Sequence, residues 1–150
     1  MAVIIKTKEQ IEILREGGHR LASILAKVAK KVAPGVTTKE LDEYAHKLIK
    51  EGGDEPAFLG YRPEGHPRAY PASLCTSTNN EIVHGIPKIS KTLKEGDIIS
   101  IDLGLKHRGL FTDHAMTVAV GKISKPSQQL LNITNEALAV GIAEARGGNT

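Results

Sequence analysis

Two aspartates, Asp102 and Asp113, interrupt an otherwise apolar and β-branched stretch, DIISIDLGLKHRGLFTDHAMTVAV, that runs from Asp97 to Val120. Asp is a poor strand residue, and a break of this kind with local preference marks a place where function is expected. The stretch reads as two strands, Ile98 to Leu105 and Leu110 to Val120, joined by a tight turn at Lys106-His107-Arg108-Gly109. Gly109 supplies the permissive backbone that a short hairpin needs. A loop of even length centred on His107 and Arg108 puts Asp102 directly opposite Asp113. Opposed residues share a face, with Cβ atoms roughly 4.5–5.5 Å apart. Carboxylates that close repel, so either one holds a proton or a cation sits between them. Hard oxygen donors on neighbouring strands suit one or two divalent cations. Spacing alone leaves a second reading open, in which the pairing is off by one and the two carboxylates never meet.

The segment SIDLGLKHRGLFTDHAMTVAVG, together with the upstream CTSTNNEIVHGIP, resembles the methionine aminopeptidases. The run Asn79-Asn80-Glu81-Ile82-Val83-His84-Gly85-Ile86-Pro87 is nearer the type I branch of that family, in slightly altered form. The resemblance covers the chain from Ile4 onward. It implies an α+β, pita-bread fold built from two related halves, with helices covering an antiparallel sheet. It also implies a site for two divalent metal ions (Co, Mn, Fe, Zn or Ni). Asp102 and Asp113 match two of the family's five metal-ligating positions, and His84 matches a catalytic, substrate-contacting histidine. Tyr61, Tyr70 and Cys75 match positions that enclose the substrate's methionine side chain. The chain departs from the family there, with several extra residues between Tyr61 and Tyr70, and Phe58 stands where some relatives carry a smaller residue.

The family's remaining ligands, a His and two Glu, and its general-base glutamate lie in the second half of the fold. No residue of this sequence is assigned to them. The expectation is that residues 1–150 form the N-terminal part of a single catalytic domain, truncated at 150 and inactive alone. Gly148-Asn149-Thr150 echoes Gly35-Val36-Thr37, so Thr150 reads as a helix N-cap with no helix after it. The implied activity of the full-length enzyme is removal of N-terminal methionine from nascent polypeptides, as a monomer in the cytoplasm. The alternatives are a proline-specific peptidase of the same fold and a non-catalytic pita-bread binding protein.

The elements that must position these residues follow from capping and periodicity. Thr7 and Gln10 form a capping-box pattern. Ile11, Leu14, Leu21, Leu25, Val28 and Val32 then mark one face of a long helix, which Gly17-Gly18 interrupts, allowing close packing or a bend, and Pro34-Gly35 ends. Thr37 and Glu40 form a second capping box. Leu41, Ala45, Leu48 and Ile49 give the face of a shorter helix stopped by Gly52-Gly53. Asp54 to Ala72 is dense in Pro and Gly and reads as a long loop, a common place for function. Its Phe58, Tyr61 and Tyr70 are three of the chain's five aromatic residues. On sequence alone they either line a pocket or anchor the loop. Ser73–Thr78 and Glu81–Val83 read as short strands about a turn at Asn79-Asn80. Ser124 and Pro126 open a last helix that Gly147-Gly148 ends. Leu130, Ile133, Ala137, Leu138 and Ile142 lie on or near its buried side. His107 falls in the hairpin turn, and His114 points away from Asp113.

At 150 residues the chain supports one domain with a core. Twenty basic against 17 acidic residues give a net charge of +3, too mild for a dedicated nucleic-acid binder. Lys27, Lys30 and Lys31 read either as a solvated helix face or as a loose, transient ribosome contact. Cys75 is the single cysteine, so no intrachain disulfide forms. No run approaches the roughly 18 apolar residues of a membrane span, and charge follows Ile4-Ile5 at once, unlike a signal peptide. Asn132-Ile133-Thr134 fits a glycosylation acceptor pattern, read as chance in a chain without a secretion signal.

Overall fold

A computed structural model describes residues 4–149. Three helices and four strands follow in the order α1 (Lys8–Ala29), α2 (Thr38–Glu51), β1 (Glu55–Pro56), β2 (Leu74–Thr78), β3 (Ile98–His107), β4 (Leu110–Ala119) and α3 (Lys125–Glu144). Both capping boxes form. Thr7 caps α1 with Gln10 returning the bond, and Thr37 caps α2 with Glu40 doing the same. These reciprocal bonds satisfy N–H groups that a helix start otherwise leaves unpaired. α1 runs unbroken through Gly17-Gly18, which corrects the expected interruption. Gly17 is buried, and a Cβ there would lie 3.2 Å from His107 Cβ. Gly17 therefore serves the expected close packing of helix on sheet, whereas a Cβ on Gly18 would meet nothing within 4 Å.

β3 is the spine of an antiparallel sheet. β4 pairs along its whole length on one edge, while β2 and β1 follow one another along the other edge. Strand alternation gives β3 two unlike faces. Ile99, Ile101, Leu103 and Leu105 are fully buried against Leu21, Leu25 and Val28 of α1 and Leu41, Ala45 and Ile49 of α2. Ser100, Asp102, Gly104 and Lys106 occupy the face turned away from the helices. The architecture is α+β, with helices covering one side of an antiparallel sheet.

Several expectations change in detail. The hairpin loop is Arg108-Gly109, with φ of 47° and 83°, and His107 pairs with Leu110. Two residues with positive φ are what a two-residue loop matched to strand twist requires. β3 therefore extends through His107, which is buried in the strand rather than in the turn. No strand forms at Glu81–Val83, where Ile82 and Val83 are largely exposed. β2 already pairs with β3, and Glu81 instead closes a turn, its carboxylate accepting from Thr78 N–H at 2.8 Å. The long loop contributes one short strand, β1, which was not foreseen. α3 buries no residue, and Leu130, Ile133, Leu138 and Ile142 are exposed. The apolar periodicity exists, but no element among the described residues covers it. Lys27, Lys30 and Lys31 lie on a solvated face, with Lys31 Nζ 4.5 Å from the centre of the Tyr44 ring. Thr150 lies outside the described residues, so its expected role as a helix cap does too.

Asp42 is a buried carboxylate that patterning did not single out. It accepts from Ser73 N–H at 2.8 Å and Leu74 N–H at 3.1 Å, and so holds the start of β2 on α2.

Ile101 sits at the centre of the spine with no exposure. Ile101→Ala should lower unfolding free energy by about 2–5 kcal/mol, the range for large-to-small core changes. A denaturant titration checks this, with the midpoint falling and the slope unchanged.

Candidate metal centre

The hairpin register decides where the two aspartates stand. Asp102 pairs with Ala115, and Asp113 pairs with Gly104. The aspartates are thus diagonal neighbours rather than directly opposed, because the loop sits one residue later than a turn centred on His107 and Arg108. The slide amounts to two positions of register, an even number, so both side chains keep the same face. Diagonal neighbours stand roughly 7–8 Å apart at Cα, within reach of each other's carboxylates. His114 pairs with Leu103 and faces the other side.

Asp102 and Asp113 line one cleft of about 470 Å³ with His84, Cys75, Tyr70 and Phe58. Cys75 pairs directly with Asp102 across β2 and β3. Phe58 lies over the sheet and lines this cleft because position 104 carries no side chain. A Cβ on Gly104 would lie 2.6 Å from Phe58 Cε1 and 2.8 Å from Ala57 Cβ. The Ala57 N–H also donates to the Gly104 carbonyl at 3.0 Å. Tyr70 stands edge-on to Phe58, with ring centres 6.4 Å apart. Its hydroxyl donates to the Leu74 and Gly85 carbonyls, both at 3.2 Å, tying the aromatic loop to β2 and to the segment after His84. Gly85 packs against the backbone of β2. A Cβ there would lie 2.1 Å from the Thr76 carbonyl oxygen, and Thr76 N–H donates to the Gly85 carbonyl at 2.8 Å. His84, just before it, holds a left-handed backbone with φ of 59°. Such a conformation is uncommon for a non-glycine residue and collects at functional positions.

The electrostatics divide the cleft in two. Burial, and then the nearby Asp113 carboxyl, push the Asp102 carboxyl up to about 6, with His84 pulling the other way. Burial pushes the Cys75 thiol up, and Asp102 and Asp113 add to it. Burial also raises the Tyr70 hydroxyl. Near neutral pH the Cys75 and Tyr70 side of the wall is uncharged. The Asp side carries crowded negative charge that a divalent cation would relieve. Two carboxylates with hard oxygen donors suit such an ion. Among the described residues, no group of three or more His, Cys, Asp or Glu side chains comes together to complete a coordination sphere.

All six residues singled out by sequence, His84, Tyr61, Tyr70, Cys75, Asp102 and Asp113, line the same cleft. Phe58 belongs with them. His66 and Arg68 line it too. They were missed because nothing in a Pro- and Gly-rich loop predicts where its polar tip folds.

The profile of metallopeptidase family M24 matches residues 12–150. Over 148 residues the chain is 44% identical to a methionine aminopeptidase of Aquifex aeolicus, covering 99% of this chain and 57% of that protein. The crystal structure of methionine aminopeptidase from Thermotoga maritima superposes with a TM-score of 0.88 at 34% identity, covering 97% of this chain and 55% of that one. An Xaa-Pro dipeptidase from Bacillus anthracis shares the fold at a TM-score of 0.73 and 22% identity, over 89% of this chain and 34% of its own. The chain spans about half the length of the curated relatives it matches.

The Asp102 shift has a definite sign. A carboxyl whose pKa is higher in the folded state than its ordinary value near 4 binds its proton more tightly when folded. Its contribution to stability is present at low pH and lost as pH rises through about 6. The metal-free protein should therefore lose stability between about pH 4 and pH 6. Asp102→Asn should flatten that stretch of the profile, as thermal unfolding at stepped pH would record.

Proposed function

The chain belongs to metallopeptidase family M24, and from that premise we propose that the protein of which it forms part removes methionine from the N-termini of newly made polypeptides. The observation that carries this reading is the placing of Asp102 and Asp113 on one face of a cleft that also holds His84 and the uncharged wall of Phe58, Tyr70 and Cys75. The M24 match and the name of the relatives support a divalent metal cofactor. Two ions, held by Asp102 and Asp113, suit the pair of carboxylates.

When bound, the metal pair acidifies water and polarises the carbonyl of the first peptide bond. The chain's own residues supply the rest. Asp102 and Asp113 fix the position of the ions from one rigid hairpin. His84, held by the Gly85 contact, offers a ring N–H toward the scissile amide and steadies charge as the tetrahedral intermediate forms. Cys75, Tyr70 and Phe58 present an uncharged surface to an unbranched thioether side chain and exclude water around it. Tyr61, at the mouth, closes over the same side chain.

The remaining ligands, a His and two Glu by family resemblance, and the general base lie in this reading beyond residue 150, within one catalytic domain. The relatives' greater length supports that placement. Cytoplasmic action on chains emerging from the ribosome, by a monomer, completes the proposal. Cleavage before proline is disfavoured, because the proline peptidase likeness rests on 22% identity against 44% for the methionine aminopeptidase.

In the full-length, metal-loaded protein, Asp102→Asn should reduce turnover of a Met-Ala peptide to about one-hundredth or less. Even outer-shell partners of metal ligands cost roughly 10–100-fold. Turnover near the unmutated level would remove Asp102 from the metal site.

A further inference from the structure

The loop between Tyr61 and Tyr70 is closed at its base. Tyr70 N–H donates to the Tyr61 carbonyl at 2.8 Å, and Gly60 N–H donates to the Tyr70 carbonyl at 2.9 Å. His66 N–H donates to the Pro63 carbonyl at 3.1 Å inside the loop. Pro63 and Pro67 restrict its backbone further. The cleft has a buried floor at Cys75 and an open side that Asp113 and His84 share with the loop. Cys75 is 5% exposed at the floor beside Asp102, whereas Tyr61 is 62% exposed at the mouth. His66 and Arg68 line the same cleft and are exposed, which puts them on the mouth side.

Arg68 forms no ion pair among the described residues, although Arg15 and Arg20 both do. Glu64, the one acid of its loop, does not engage it. A guanidinium fork left free beside a cleft matches a carboxylate in two parallel bonds. Asp102 is half-buried beside Cys75 and Asp113 is exposed, so a substrate whose first peptide bond lies at the two aspartates runs on across the open side of the cleft, where this loop stands.

We propose that Arg68, with His66 beside it, forms a subsite for a carboxylate on the substrate chain beyond the first peptide bond. This deepens the function proposed above and rests on it. The carboxylate comes either from an acidic side chain or from the free end of a short peptide. Both share one chemistry.

The test uses metal-loaded, full-length protein and methionyl-alanyl peptides carrying Asp or Asn at the third, fourth or fifth position. Each is made with a free and with an amidated C-terminus. The expected result is a kcat/KM about threefold higher for Asp than for Asn at one position, the scale of an exposed ion pair. That ratio should fall to about one in Arg68→Gln, persist in part in Arg68→Lys, and shrink in high salt. A preference that follows the free C-terminus instead assigns the carboxylate to the chain end. Equal cleavage of every peptide, or a ratio that Arg68→Gln leaves unchanged, overturns the subsite while leaving methionine removal intact. Failure to cleave any methionyl peptide overturns the function proposed above, and the subsite with it.

Discussion

The site depends on one constraint, the register of the β3–β4 hairpin. Side chains along a strand alternate, so a slip of one residue would turn Asp113 toward the helices and leave Asp102 alone. The two-residue loop Arg108-Gly109 prevents that slip from above, since both residues hold the positive φ that this loop needs. The buried side of β3 secures it from below. His107 Nδ1 lies 2.7 Å from Asp54 Oδ1, and Asp54 accepts from Arg20 Nε at 2.8 Å. Gly17 lets α1 pack directly against His107, 3.2 Å from where its own Cβ would stand. The residue beneath the turn is thus tied to both the first helix and the loop after the second. A polar network on the helix side holds two carboxylates in place on the other.

The second wall of the cleft is built by absence of side chains. Gly104 leaves room for Phe58 over the sheet, and Gly85 lets the segment carrying His84 lie against the backbone of β2. Neither glycine needs positive φ. Each is required because a Cβ would collide with a neighbour. Tyr70 links these parts, reaching carbonyls of both β2 and the Gly85 segment. Asp42 sets the start of β2 from α2 by accepting two of its N–H groups. The apolar pocket and the acidic pair therefore share one frame, and a shift in either moves the other.

Much of this was legible in the chain. Capping boxes at Thr7 and Thr37 marked both helix starts, because the pattern reflects a local bond that tertiary structure rarely overrides. The alternation Ile99, Ile101, Leu103 against Ser100, Asp102, Gly104 marked the two faces of β3 for the same reason. Resemblance of motifs, rather than periodicity, pointed to His84 and Cys75. What escaped was nonlocal. Whether the turn centres on His107-Arg108 or on Arg108-Gly109 depends on packing beneath His107, which no short-range pattern carries. Glu81–Val83 has strand-like composition, yet β2 already has β3 as its partner. The apolar stripe of α3 is real, but burial depends on what lies opposite. His66 and Arg68 reach the cleft through loop closure between residues far from any periodic signal.

In the proposed function Asp102 and Asp113 jointly hold divalent metal. Anomalous diffraction from crystals of the full-length protein grown with Mn or Co tests this most directly. The predicted result is two peaks roughly 3.5–4 Å apart, both within bonding distance of the Asp102 and Asp113 carboxylates. Peaks elsewhere in the molecule, with no density at these two side chains, would contradict it.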